Sequence, residues 1–455
     1  MYEENLRELK EFLSFDKEEK KIRHNKDEKA NFFPFVTRNP ERVTFKNGFR
    51  GITGEFCRLI TNKKLVDEYS IVETIDDIVE NGNIEFQNGE NDKEKFKNIL
   101  KEFVYPNEKL VILTPQLFSY LPLANSKESI GEKKIAQFIK DVLWQKNEKI
   151  KNYIKNAPAD TVLTRFFINN FNQLEKQVSN DPIYNKKLNY ISDLFMEDFE
   201  FLIEDEDYFI NHFHFLLAYY YFFYITQLFL NFQKQDNKHK YELYYILNWE
   251  SASKKRKSYE IGYYKEIKKW STKLLPQVYA TEHLNFLFGV EGETLNELET
   301  KFKALNQVDQ NQLKNIIKRW ISDYRNNRDL KEMNLKNNYN DLVLSLINSI
   351  GEAVGDATKS RYRLSIDEIG KKYFLKSRGS LSYVGNITKD FFLFLTAISV
   401  KDNRIKVKEL FSRLEKRGIY LDRYSKKEAL DFLNKLNVLD KKSDSGDAQY
   451  VKTIL

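Results

Sequence analysis

Apolar residues recur along this chain mostly at spacings of three and four, the period of a helix with one buried face. Such a stretch runs from Leu6 to Leu13, and the charged run behind it, Asp16 to Lys29, carries few apolar residues. A short, exposed first helix is expected. Ile135, Phe138, Ile139, Val142 and Leu143 form a stripe at i, i+3, i+4, i+7 and i+8, and Leu313, Ile316, Ile317, Trp320 and Ile321 repeat it. The middle of the chain therefore reads as a helical array, and the lack of a fixed repeat period speaks against a solenoid of regular units. Phe213 to Phe232 is apolar all round and has the length of a membrane span. Its four tyrosines, with Thr226, Gln227 and Asn231, favour a buried central helix instead.

Pro106, Pro115 and Pro122 interrupt an apolar segment between Tyr105 and Leu123, and the polar stretch Ser126 to Lys134 follows, which marks a boundary. The expected organisation is an N-terminal helical region 1–125, a central all-α domain 126–350 holding the aromatic helix, a basic connecting segment 351–389, and a C-terminal module 390–455. In that last module Thr388 caps a helix through Phe391, Leu395 and Ile398, and Arg404 to Val407 reads as a short strand. A second helix, Glu409 to Arg417, ends at Gly418, and Ser425 to Glu428 reads as a capping box opening a third. Strands Val438–Lys442 and Ala448–Thr453 follow, joined by the turn residues 443–447. Helix, strand, helix, helix and hairpin in this order predict a winged helix. The fold class expected is thus mainly α, a multi-helical N-terminal and central region followed by a winged-helix module with a small β-hairpin wing.

Composition narrows the function classes. With 16 Gly and 8 Pro in 455 residues a turn-rich β-sandwich is disfavoured, and 15% aromatic residues argue against disorder despite a 31% charged fraction. The net charge of +7 permits an anionic partner without requiring one. A single cysteine, Cys57, excludes an internal disulfide or a cysteine-based zinc cluster. The first residues, MYEENLRELKEFL, lack an apolar signal segment, so a cytoplasmic protein with no membrane anchor is expected.

Catalytic signatures are sparse. No Gly-rich loop closes on Lys-Ser or Lys-Thr, so ATP hydrolysis of the Walker type is not expected from this chain. Gly48, Gly51 and Gly54 precede a helical pattern and read as a helix entry or close packing rather than a phosphate cradle. Glu197 to Asp207 holds seven carboxylates but lacks the calcium-loop pattern, which favours a solvated face or docking patch. His212 and His214 lie two apart, pointing to different helix faces. Glu299 with Lys301, and Asp367 and Glu368 near Lys371, supply the letters of a nuclease site without a strand to present them. No catalytic residue, metal site or cofactor is assigned.

Two basic stretches are the candidate DNA contacts. On the third C-terminal helix and its wing these are Lys426, Lys427, Asn434, Lys435, Lys441, Lys442, Ser443 and Ser445, in a module of only 14 basic and 10 acidic residues from Asp390 onward. The second is Lys254, Lys255, Arg256 and Lys257, continued by Lys265, Lys268, Lys269 and Lys273 among Tyr259, Tyr263, Tyr264 and Trp270. A solvated helix face and a protein-docking module remain open alternatives for both.

Gly370 to Gly379 (GKKYFLKSRG), Glu415 to Gly418 with Phe411, Asp422 to Ser425 (DRYS), and Lys441 to Lys452 (KKSDSGDAQYVK) together resemble the C-terminus of the DptG (DndG) family. The resemblance covers roughly the final 90 residues; upstream only Asn39–Arg42 and Gly54–Phe56 are similar. It implies a subunit of a bacterial phosphorothioation-dependent restriction complex, acting in anti-phage defence with the DptF and DptH subunits against double-stranded DNA that lacks backbone sulfur. A motor-ATPase-like DptH fits the missing Walker motif here. The expected role is scaffold and DNA contact, with a nuclease subunit, a pure docking adaptor and a membrane-associated subunit as the alternatives.

Overall fold

In the computed structural model every residue is described except 16–21, 23, 25–27, 67–69, 82–83, 158–163, 166–167, 170, 172, 180, 235–239, 269–270, 442–448 and 455. The protein is mainly helical, with 64% helix and 7% strand, as the spacing of its apolar residues requires. The first half runs α1 (Tyr2–Phe12), α2 (Arg50–Thr61), β1 (Lys63–Leu65), α3 (Ile71–Asn81), α4 (Glu90–Val104), α5 (Glu128–Val142), α6 (Glu148–Asn156), β2 (Leu174–Lys176), α7 (Asn189–Leu202) and α8 (Glu206–Lys234). There follow β3 (Tyr244–Leu247), α9 (Lys257–Glu260), α10 (Leu274–Phe288), α11 (Leu295–Ala304), α12 (Gln307–Asn327), α13 (Tyr339–Ala353), α14 (Asp356–Ile369), β4 (Leu375–Ser377) and β5 (Tyr383–Ile387). The C-terminal stretch is α15 (Lys389–Val400), β6 (Ile405–Lys406), α16 (Val407–Lys416), β7 (Tyr420–Leu421), α17 (Arg423–Lys435), β8 (Leu439–Lys441) and β9 (Gln449–Val451).

A helix segment that is apolar all round has no face to give to water, and α8 is buried at every position from Leu216 to Leu230. It is the one helix among the described residues long and apolar enough to cross a membrane, and 89% of its most apolar window lies inside the protein. Its polar groups find partners there, which is what makes them tolerable in a core. Tyr220 donates to Asp198 at 2.5 Å, Tyr224 accepts from the amides of Lys187 and Leu188, and Gln227 bonds both the amide and the carbonyl of Tyr241. Around α8 one core draws in side chains from Ala30 to Val451, taking residues from all four stretches into which the sequence divides. A second core joins α1 to α10, α11, α12 and α13.

The first helix is not exposed as its polarity suggests. Tyr2, Leu6 and Leu9 are buried, because α1 lays this one apolar stripe on the second core. The glycine run is a close-packing device: Gly51 and Gly54 lie inside α2, where an added Cβ at Gly54 would come 2.5 Å from the carbonyl oxygen of Leu121. The stretch 351–389 does more than connect, since it supplies α14 and the strands β4 and β5.

Those strands belong to a four-stranded mixed sheet of order β4-β5-β3-β7. β3 runs parallel to both neighbours, with Tyr245 opposite Gly385 on one side and Leu421 on the other. β7 comes from the C-terminal module, so this sheet ties that module to the middle of the chain. β6, β9 and β8 form an antiparallel sheet in that order, and β1 pairs with β2 in a separate antiparallel ladder. Thr388 caps α15 through the amide of Phe391, and Gly418 beyond α16 takes φ +82°, both at the positions the sequence marks. α17 departs from the reading. It begins at Arg423, capped by Asp422 rather than by Ser425, because the Ser425 hydroxyl is turned inward to Glu250.

Candidate nucleic-acid interface

Four cations stand in a row from Lys254 to Lys257, and the structure separates them. Lys254, Lys255 and Lys257 are exposed; Arg256 is buried, 8% exposed. Its guanidinium donates from Nε to Asp422 Oδ2 at 2.5 Å and from Nη2 to Asp422 Oδ1 at 2.7 Å, the fork geometry that lysine lacks. Nη2 also reaches Glu250 at 3.1 Å and Ser425 Oγ at 2.8 Å, and Nη1 donates to the carbonyl of Ser251. Asp422 in turn accepts the amides of Tyr424 and Ser425, each at 3.0 Å, as the cap of α17. Burial alone raises the Asp422 carboxyl, but the Arg256 bond and these two amides outweigh it and hold the group below its ordinary range.

This network has a geometric result. The chain neighbours of Arg256 are brought to the start of α17, so the two basic stretches that are far apart in sequence border one surface. Arg423, Tyr424, Lys427, Asn434 and Lys435 are exposed on α17, with Asp431 among them. Lys254, Lys255, Arg423 and Lys427 make no ion pair among the described residues, while Lys257 donates to the Tyr244 hydroxyl at 3.3 Å and lies over that ring.

Four of the sequence candidates fare differently. Arg256 is withdrawn from any direct phosphate contact, since its donors are engaged by buried carboxylates. Lys426 is half-exposed and paired with Glu415 at 2.9 Å, with its ammonium over the Phe411 ring. In the longer stretch Lys268 is paired with Asp367 at 2.6 Å, and Tyr263, donating to the same carboxylate at 2.7 Å, is buried. Lys441 belongs to β8, and Lys442, Ser443, Ser445, Lys269 and Trp270 lie outside the described residues. Sequence reasoning missed Arg423, Tyr424 and Glu250. An Asp three residues before Ser425 was the available signal for the true start of α17.

The other candidates resolve into structural groups. Asp198, in the acidic run, is buried in an ion pair with Arg417, which corrects its place on a solvated face. Glu204 pairs with Lys149 across the surface, as does Glu197 with Lys401. Asp367 is taken up as above, Glu368 faces Arg42 at 3.7 Å, and Glu299 pairs with Lys303 at 2.7 Å. His212 bonds the carbonyl of Tyr208 and stacks on that ring, and burial pushes His214 down to about 4. Among the described residues no group of three or more His, Cys, Asp or Glu side chains is placed to hold a metal ion. A cleft of about 970 Å³ lined by Phe33, Arg38, Glu55, Lys133, Tyr184 and Tyr279 shares no residue with the basic surface.

No protein-family model matches this chain, and no curated protein is significantly similar to it.

Proposed function

We propose that this chain is a non-ATPase subunit of a phosphorothioation-dependent restriction complex of the DptG kind, contacting double-stranded DNA through a C-terminal winged helix. The observation that carries the DNA half of this reading is the Arg256–Asp422 pair, which sets two separate basic stretches on one face at the start of α17. In a winged helix the third helix is the one that enters a groove, led by its N-terminal residues, and the loop residues beside it hold phosphate. α15, α16 and α17 with the sheet β6-β9-β8 follow that order, and α17 presents Arg423, Lys427, Asn434 and Lys435 outward. The restriction half rests on the C-terminal resemblance, and the partners it names are DptF and DptH. Purification of the chain with its neighbouring operon products, with and without DNA, tests both halves. Co-purification with a motor-ATPase-like partner and salt-sensitive duplex binding are expected; loss of both would end the reading.

A second reading, a protein-docking adaptor without DNA contact, draws on the pairing of Lys426 with Glu415 and on Asp431 within the α17 face. It requires the same surface variants to bind DNA like the parent while losing the partner.

A further inference from the structure

Among the described residues Tyr424 is the most exposed aromatic side chain, 65% exposed, in a chain that buries most of its aromatic surface. It is the second residue of α17, and its amide is fixed by the Asp422 cap. The Arg256 guanidinium lies over its ring, 5.1 Å from carbon ζ to the centroid. Because Arg256 is itself held by Asp422, Glu250 and Ser425, the ring rests on an immobile planar support with the rest of its surface open to solvent. Lys254 and Lys255, just before Arg256 in the chain, and Arg423 and Lys427, one residue before and three after Tyr424 on α17, are exposed cations with no ion-pair partner among the described residues.

An open aromatic face takes another flat π-surface, and cations at its rim take phosphates on either side of it. In a continuous duplex both faces of every base are covered by neighbours, so a protein ring stacks on a base only at an end, at a gap or on an unpaired nucleotide. We infer that Tyr424 is a stacking platform for an unpaired nucleobase, and that this surface prefers DNA with a single-strand–duplex junction to continuous duplex. The inference rests on the DNA-contact reading above and adds the form of DNA that is taken.

The test measures binding of the full-length chain to three oligonucleotides: a continuous duplex, the same duplex with a short gap carrying 2-aminopurine opposite it, and the single strand. The parent should bind the gapped DNA most tightly and quench the 2-aminopurine. Tyr424→Ala should weaken gapped binding by about 10- to 100-fold, the range that base–aromatic stacking supplies, leave continuous duplex almost unchanged and abolish the quench. Tyr424→Phe keeps the ring and should behave as the parent. Equal losses on gapped and continuous DNA would make Tyr424 a groove contact and overturn the platform while leaving DNA contact intact. A parent that binds none of the three at low salt would overturn both.

Discussion

Arg417 and Asp198, 219 residues apart in sequence, form a fork-to-fork ion pair with both side chains buried. Nε donates to Oδ2 at 2.7 Å and Nη2 to Oδ1, while Tyr220 gives the same carboxylate a third bond. The hydroxyl of Tyr219 closes the set by donating to the Arg417 carbonyl. The pair fixes the end of α16 to α7 and α8. Removing one partner strands a buried charge, so Asp198→Ala should cost about 3–5 kcal/mol in urea unfolding. Replacing both together, Asp198→Leu with Arg417→Met, should cost much less; equal losses would show that the charges matter singly.

The legible parts of this fold are the local ones. The stripes of α5 and α12, the all-round apolar α8, the Thr388 cap and the Gly418 turn are each written within a few residues, because helix period and capping act over one or two turns. The four-stranded sheet was not readable. β3 is Tyr244–Leu247, buried at every position and therefore without alternation, and its partners stand near residues 385 and 421. The same limit applies to the candidate site. In Lys254-Lys255-Arg256-Lys257 the sequence offers four adjacent cations of which only the arginine has a fork, and its partner Asp422, which turns it inward, stands 166 residues on. Asp198 is likewise indistinguishable from its acidic neighbours until Arg417 is placed beside it.

Glu132 sets a pH dependence. Burial pushes its carboxyl up to about 7, against the lowering effect of the Ala124 amide that it accepts at 2.7 Å. Folded protein therefore binds a proton that unfolded protein releases near the ordinary glutamate value. Stability contributed by this group is full at acid pH and declines as pH rises from that value through about 7. Glu132→Gln, which keeps an acceptor for Ala124, should flatten this limb and stabilise the protein at pH 8 by on the order of 1–3 kcal/mol. Chemical denaturation at pH 5, 6.5 and 8 reads it; an unchanged pH profile would remove Glu132 from the account.

Gly54 tests the packing of α2. An added Cβ there would lie 2.5 Å from the Leu121 carbonyl oxygen and 2.8 Å from the Leu121 Cβ, and neither is the free end of a flexible chain. Gly54→Ala gains helix propensity but forces α2 away from this segment, so a net loss of about 1–3 kcal/mol is expected. A rise in melting temperature would mean that the Leu121 segment yields easily.

The basic surface predicts an ordered set of salt slopes. Each neutralised phosphate releases counterions, so the fall of log affinity with log salt measures the number of contacts. Lys254→Ala, Lys255→Ala and Lys427→Ala remove exposed cations without ion-pair partners, and each should flatten the slope by roughly one unit with sequence preference unchanged. Lys426→Ala removes an ammonium already paired with Glu415 and should leave the slope almost as it was. Arg256→Ala should act differently again. It removes no exposed charge, yet it strands the buried Glu250 and Asp422 carboxylates, so it lowers stability and uncouples the 254–257 stretch from α17. Filter binding across a salt series, with unfolding measured on the same variants, separates these outcomes. A slope lost with Lys426 and kept with Lys254, Lys255 and Lys427 would place DNA on the opposite side of α17.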